Sequence, residues 1–273
     1  MSIAAALVAA EAAPTDSMAQ FRLGYAYLAN EMFQEAVAPF ERAMELDPTF
    51  FPTLENLSSA RTLSGDGAGG EVAARAALAL KPASHSAYFS LGNALRLQGD
   101  ALGAVDAYRV SLGPNQENWE RAQTRHNFGL ALQDLGRLRE ALEQQTLALQ
   151  LEPDFMLALM AAANLHESLG EFEAAHSMYR RASEVDTQSW RAWEGLGLVL
   201  LKMNLFAESI LAYERVLELH PDEVNALSNL SLAYMVQGRP TDALLHAERA
   251  VELSPDDEAL AKNLTLIKAR YSN

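Results

Sequence analysis

Residues 190–223 read WRAWEGLGLVLLKMNLFAESILAYERVLELHPDE. In the first half, apolar side chains spaced by three and four surround a small residue, Gly197. In the second half, Tyr213 and Val216 follow Ser209 at the same spacing, which places the three on one face of a helix. Pro221 then marks the end of the second helix. The stretch therefore predicts two short helices joined by a turn and packed through small residues.

The same pattern recurs along the chain with a period of 34 residues. Pro48 and Pro82 are one period apart, as are Pro221 and Pro255, and Pro153 precedes Pro221 by two periods. Only the interval from Pro82 to Pro153 departs from this period, by three extra residues assigned to 119–121. The period predicts seven repeats, at residues 17–50, 51–84, 85–118, 122–155, 156–189, 190–223 and 224–257.

Two positions in this register hold only alanine, glycine or serine. Close approach of two helices requires small residues where they face each other. The eighth position reads Gly24, Ser58, Gly92, Gly129, Ala163, Gly197 and Ser231, and the twentieth reads Ala36, Gly70, Ala104, Ala141, Ala175, Ser209 and Ala243.

The pattern resembles that of the tetratricopeptide repeat family. It is carried by Trp193, Leu196, Gly197, Leu200, Ser209, Tyr213, Val216 and Pro221, and again by Leu23, Gly24, Tyr27, Ala36, Phe40, Ala43 and Pro48. The resemblance implies an all-α fold, a right-handed superhelical solenoid of seven two-helix repeats. We expect an N-terminal helix within residues 1–16 and a C-terminal capping helix within residues 258–273.

Composition limits the classes of function. The chain has no cysteine, which excludes disulfides, thiolate-bound zinc and a cysteine nucleophile. Its formal net charge of −15 disfavours nucleic acid and anionic membranes as partners. No apolar run approaches the ~20 residues of a membrane-spanning helix, and the first residues make a poor secretory signal. We therefore expect a cytoplasmic protein without membrane insertion.

Signals of catalysis and of cofactor or metal binding are weak. Residues 65–70, GDGAGG, match the letters of a dinucleotide-binding fingerprint, but they follow a predicted helix where that motif needs a strand. The six histidines fall in different repeats without metal-ligand spacing. We expect no catalytic, cofactor-binding or metal site.

The resemblance also implies where a partner binds, because first helices of such repeats line a groove. Carried onto this chain, the groove residues are Glu55, Asn93, Arg96, Gln123, His126, Gln133, Asp134, Asn164, Glu167, Arg191, Glu194, Leu198, Leu201, Leu232 and Met235. Asn and Gln could form hydrogen bonds with a peptide's amides, and Arg96 and Arg191 could form ion pairs with its acidic side chains. The alternative is a solvated polar face, with the apolar members packed between helices. Trp119 is expected to plug the space between two repeats, the alternative being an exposed anchor.

These observations favour a non-enzymatic scaffold or adaptor that binds a peptide or helix of a partner protein. The alternative is a structural array that assembles with copies of itself as a homo-oligomer. An enzyme or enzyme subunit is the third hypothesis. The carboxylate clamp for chaperone tails is not expected, since Phe89, Leu157 and Ala161 stand where it needs cations.

Overall fold

A computed structural model describes residues 2–113 and 118–271, with the side chains of 118–120 and 271 left out. The described residues form sixteen α-helices and no strand. The helices are α1 (Ile3–Ala12), α2 (Ser17–Leu28), α3 (Phe33–Leu46), α4 (Phe51–Leu63), α5 (Gly67–Leu80), α6 (His85–Leu97), α7 (Ala101–Ser111), α8 (Asn118–Asp134), α9 (Leu138–Leu151), α10 (Met156–Ser168), α11 (Phe172–Val185), α12 (Trp190–Lys202), α13 (Phe206–Leu219), α14 (Val224–Val236), α15 (Pro240–Leu253) and α16 (Glu258–Tyr271).

The helices form two compact units. The N-terminal unit is Met1–Glu152, with α1 to α9, and the C-terminal unit is Pro153–Asn273, with α10 to α16. In both units each even-numbered helix from α2 to α14 packs against the helix that follows it. This confirms the all-α array of helix pairs, with α1 before the first pair and α16 after the last. Seven pairs are consistent with the predicted repeat count.

Small residues allow the two helices of a pair to approach. A Cβ added to Gly24 would lie 2.7 Å from the Phe40 ring, and one added to Gly197 would lie 2.9 Å from the Tyr213 ring. Each aromatic ring is fully buried against its glycine's helix. The predicted packing of small against large side chains is thus present in both units.

The turn inside each pair has a left-handed residue that sequence reasoning did not identify. Positive φ angles occur at Glu31, Gly65, Gly99, Gly136, Gly170, Asn204 and Gly238. These residues recur every 34 positions, except for one interval lengthened by three. Glycine predominates because a Cβ disfavours this conformation. Gly65 therefore turns the chain from α4 into α5, and in the GDGAGG stretch Asp66 caps α5 while residues 67–70 form its first turn.

The three extra residues at 119–121 lengthen a helix. α8 begins at Asn118 rather than at the predicted repeat start, Ala122. Their backbone is therefore helical instead of forming a separate insertion between repeats. The side chain of Trp119, for which a plug was expected, lies outside the described residues.

Candidate functional site

A cavity of about 520 Å³ lies over α4, α6 and α8 in the N-terminal unit. It brings together three of the predicted groove residues, Asn93, Arg96 and Gln123. Asn127, beside them, donates from Nδ2 to Asn93 Oδ1 at 2.9 Å. The buried Tyr108 donates its hydroxyl proton to the same oxygen at 2.6 Å. We call Asn93, Arg96, Tyr108, Gln123 and Asn127 the N-terminal cluster.

Arg96 is the cation of the N-terminal cluster, and it already has a partner. Its Nη1 lies 3.4 Å from Asp134 Oδ2 in a partly exposed ion pair. Burial raises the pKa of Tyr108, opposed by the positive charge of Arg96, so the phenol stays protonated at neutral pH. The cluster therefore presents amide groups and one cation that an exposed carboxylate partly neutralises.

A second cavity, of about 490 Å³, lies over α10, α12 and α14 in the C-terminal unit. It brings together five predicted groove residues, which are Asn164, Glu167, Arg191, Glu194 and Leu198. We call these five together with Tyr179 the C-terminal cluster.

Tyr179 links two members of the C-terminal cluster. Its hydroxyl is 2.5 Å from Asn164 Oδ1, to which it donates, and 3.1 Å from Glu167 Oε2. Lys202 Nζ lies 2.6 Å from the other oxygen of Glu167. Arg191 stacks its guanidinium over the Trp190 ring at 4.6 Å. Tyr179 thus fixes the amide of Asn164, and Lys202 fixes the carboxylate of Glu167.

Glu194 is the half-buried carboxylate of the C-terminal cluster. Loss of hydration raises its pKa, and the negative charge of Glu223 adds to the effect, while Arg191 and the Asn225 side chain oppose it. Among the described residues it makes no ion pair within 4.0 Å. A cation brought into this cavity would therefore find a carboxylate whose charge is not locally balanced.

The prediction that His126 faces the groove is wrong. Its side chain is only 6% exposed, and its Nδ1 is 3.0 Å from Oε1 of the fully buried Gln145 on α9. Gln145 stands where other repeats place an aromatic ring, as Tyr179 and Tyr213 do. A buried amide needs hydrogen-bond partners, so Gln145 also donates to the His126 carbonyl at 3.1 Å. This pairing takes the imidazole into the core.

Six other predicted groove residues lie outside both cavities. Glu55 accepts a hydrogen bond from the Ser86 hydroxyl, and burial raises its pKa. Asp134 pairs with Arg96 as above, and Gln133 is exposed on α8. The remaining three, on α12 and α14, are Leu201, Leu232 and Met235. Leu201 and Met235 pack against the core of the C-terminal unit, and Leu232 is exposed.

Sequence reasoning missed the hydroxyls of Tyr108 and Tyr179, which donate to Asn93 and Asn164. It also missed Asn225 and Asn229 on α14, which line the cavity of the C-terminal unit. Asn229 donates from Nδ2 to Tyr213 Oη at 3.0 Å. The asparagine at position six of three repeats, which are Asn56, Asn127 and Asn229, was the signal available in the sequence.

The described residues offer no sign of a metal centre or a membrane span. No group of three metal-binding side chains is present in residues 2–113 or 118–271. None of the described helices has both the length and the apolar character needed to cross a bilayer.

Relatives and solved structures agree with this architecture. The chain is 25% identical over 128 residues to the BBSome complex member BBS4 of Bos taurus, which covers 47% of this chain and 24% of that protein. The chain thus spans about a quarter of the length of this relative. The crystal structure of MamA superposes with a TM-score of 0.56 at 27% identity, over 63% of this chain and 97% of MamA. PilF of Pseudomonas aeruginosa superposes with a TM-score of 0.66 at 16% identity, over 81% of this chain and 97% of PilF.

Models of the tetratricopeptide repeat match residues 19–50, 64–120, 121–151, 160–208 and 196–258. These ranges cover most of the chain, and they include every helix that lines the two cavities except α4 and the start of α10. Arrays of this kind generally act as non-enzymatic scaffolds for protein interaction, and the chain belongs to the tetratricopeptide repeat family.

Proposed function

We propose that the chain is a non-enzymatic scaffold that binds a peptide or helix of a partner protein on its first helices. The N-terminal and C-terminal clusters are the contact sites. One observation carries this proposal: a single cavity joins Asn164, Glu167, Arg191 and Glu194, which come from two different repeats. Polar side chains that converge in a cavity are typical of a binding site.

The tyrosine bonds decide which half of each asparagine amide is offered to a partner. Asn93 and Asn164 accept through Oδ1 from Tyr108 and Tyr179. Their Nδ2 groups have no protein acceptor among the described residues. An amide N–H in this setting donates to a carbonyl oxygen. We therefore propose that the asparagines bond backbone carbonyls of the bound segment.

The proposal can be tested by affinity capture from cells that produce the protein. The tagged wild type is compared with a double variant, Asn164→Ala with Arg191→Ala. A control variant, Lys262→Ala with Asn263→Ala, removes one cation and one amide from exposed positions on α16. We expect the cluster variant to lose a partner that the wild type and the control both retain.

A captured partner is then reduced to overlapping synthetic peptides, and binding is measured by fluorescence polarisation. We expect one peptide to bind the wild type and the control equally and the cluster variant at least about tenfold more weakly, which corresponds to ~1.4 kcal/mol. Equal capture by all three proteins would count against the C-terminal cluster as a binding site.

Self-association is a second candidate function, and α1 is the observation that favours it. Residues 3–10 of this helix carry no charge, and Val8 is 65% exposed. Exposed apolar side chains of this kind occur at interaction sites. Light scattering over a hundredfold range of protein concentration tests this function. A constant monomer mass would remove it.

Three further parts of the proposal come from the sequence. The net charge of −15 continues to disfavour nucleic acid as a partner. A cytoplasmic location stays a prediction, and cell fractionation would test it. The absence of catalysis also stays a prediction, supported by a family that is generally non-enzymatic.

A further inference from the structure

A third recess lies on the opposite side of α12 from the C-terminal cluster. Its two rims are α11 and α13, its floor is α12, and its volume is about 540 Å³. We call it the α11–α13 groove. Its floor is apolar and consists of Trp193, Leu196 and Leu200, and Leu211 on the rim is 66% exposed. None of its lining residues belongs to the cavity of the C-terminal cluster.

The corresponding space over the next repeat is filled by a side chain. Tyr234 on α14 lies 34 residues after Leu200, at the same repeat position. Its hydroxyl donates to Glu214 Oε1 on α13 at 2.6 Å, and its ring stacks on His246 of α15 at 5.6 Å. Tyr234 thereby bridges the two helices that flank α14.

A comparable bridge occurs in the N-terminal unit. Arg61, at the same repeat position on α4, lies 2.5 Å from Glu41 of α3 and donates to the carbonyl of Gly69 on α5 at 3.2 Å. Leu200 has no polar atom with which to form such a bridge. Arg180, at the repeat position of Glu41 and Glu214, pairs instead with Glu184 of its own helix at 3.0 Å. No such bridge among the described residues crosses the α11–α13 groove at Leu200.

The charges on the rims indicate the chemistry of an occupant. Arg180 is neutralised by Glu184, and Arg215 is neutralised by Glu218 at 2.7 Å. Glu208 and Glu214, which also line the groove, make no ion pair among the described residues. The rims thus carry an excess of negative charge beside an apolar floor, which favours a basic and amphipathic partner.

The rims also indicate the size and form of the occupant. Along α13 the lining residues run from Glu208 to Glu218, a rise of about 15 Å at 1.5 Å per residue. Two helix faces above an apolar floor suit a third helix whose apolar stripe enters the space between them. A second copy of this chain is disfavoured as the occupant, because each copy carries a net charge of −15.

We propose that the α11–α13 groove binds an amphipathic helical segment of a partner, about three turns long, with apolar anchors flanked by lysine or arginine. This site lies on a different face of α12 from the clusters, so it is independent of the function proposed above.

The probe is a fluorescein-labelled alanine-based helical peptide of about fourteen residues, with leucines at helical spacing and flanking lysines and arginines. Its matched control replaces every lysine and arginine by glutamate. Binding is measured by fluorescence polarisation at low and physiological salt. We expect saturable binding of the basic peptide, weakened by salt, and at least about tenfold weaker binding of the acidic peptide.

Two matched variants locate the binding. Leu211→Glu places a charge on the rim, and Leu245→Glu makes the same change 34 residues later, at a side chain 63% exposed beside the space filled by Tyr234. We expect Leu211→Glu to weaken binding of the basic peptide at least about tenfold and Leu245→Glu to change it less than about twofold. Leu200→Tyr, which fills the groove, should also weaken binding if circular dichroism shows an intact fold.

The outcomes separate this site from the clusters. The double variant Asn164→Ala with Arg191→Ala should bind the basic peptide like the wild type. Equal loss with Leu211→Glu and Leu245→Glu, equal binding of both peptides, or no saturable binding would overturn the proposal. So would a dimer that Leu211→Glu abolishes without any effect of the peptide, since the occupant would then be a second copy.

Discussion

The two clusters are built around the same hydrogen bond and differ in what surrounds it. In each, a buried tyrosine donates to an asparagine of the same repeat, Tyr108 to Asn93 at 2.6 Å and Tyr179 to Asn164 at 2.5 Å. Next to the first bond, Asn127 donates to Asn93. At the same position of the following repeat, the C-terminal cluster has Gly195. A shared repeat framework thus fixes the bond, and the neighbouring repeat decides its surroundings.

The residues that precede Asn127 and Gly195 in the sequence differ as well. In the N-terminal unit it is His126, which Gln145 draws into the core. In the C-terminal unit it is Glu194, which stays in the cavity because Tyr213 stands at the position of Gln145 and is itself fully buried. The ionisable group of the first helix is thus buried where the second helix has Gln145 and lines a cavity where it has Tyr213.

The largest effect is expected at Gln145. Gln145→Ala removes a fully buried side chain and leaves the His126 ring without its amide partner, so we expect a loss of about 3 kcal/mol of unfolding free energy. The control is Gln144→Ala, which removes only a partly buried acceptor of Arg125 and should cost less than about 1 kcal/mol. Urea unfolding followed by circular dichroism measures both. Similar losses would show that Gln145 does not hold the N-terminal unit's core.

A smaller effect is expected at Gly195. A Cβ there would lie 2.3 Å from the Tyr179 ring, so Gly195→Ala must displace the ring from Asn164 and Glu167 at a cost of about 2 kcal/mol. Asn127→Ala, at the same repeat position in the N-terminal unit, removes one partly buried hydrogen bond and should cost about 1 kcal/mol.

The same urea titration compares the two variants. A well-tolerated Gly195→Ala would mean that Tyr179 moves aside easily, and the difference between the two clusters would then not depend on Gly195.

The fold was predictable because it depends on a pattern repeated many times. Small residues such as Gly24 and Gly197 recur in register with the aromatic rings that they face, and each repeat confirms the others. The left-handed turn residue was missed because Glu31 and Asn204 interrupt a row of glycines. Asparagine tolerates positive φ better than most residues, but glutamate does not, so Glu31 in particular hides the turn residue in the sequence.

The candidate site was only partly predictable, because it depends on single residues that differ between repeats. The position of Glu194 followed from the resemblance, but that of His126 did not, since the contact with Gln145 crosses between two helices. The hydroxyls of Tyr108 and Tyr179 were missed because the repeat pattern indicates only that an aromatic ring packs at this position. Hydrogen bonds between side chains far apart in sequence need coordinates.

Stability should respond to pH in opposite directions at His126 and at Glu194. Burial lowers the pKa of His126. The hydrogen bond with Gln145 opposes this shift, and the positive charge of Arg96 adds to it. The unfolded chain then binds the proton more readily, so the stability contributed by His126 is present above about pH 6.5 and falls as the pH is lowered. Loss of hydration raises the pKa of Glu194, so the stability that Glu194 contributes has the opposite pH dependence. Its contribution is present below about pH 4.3 and is lost as the pH rises through its folded value.

Two variants test these signs by thermal unfolding between about pH 4 and pH 8. His126→Gln should flatten the fall in melting temperature between pH 7 and pH 5. Glu194→Gln should raise the melting temperature at pH 7 and match the wild type near pH 4. The gain in unfolding free energy at pH 7 should be less than about 1 kcal/mol, because the carboxylate is half exposed. If both variants shifted the profile in the same direction, these two residues at one repeat position would share one environment, and the contrast between the clusters would fail.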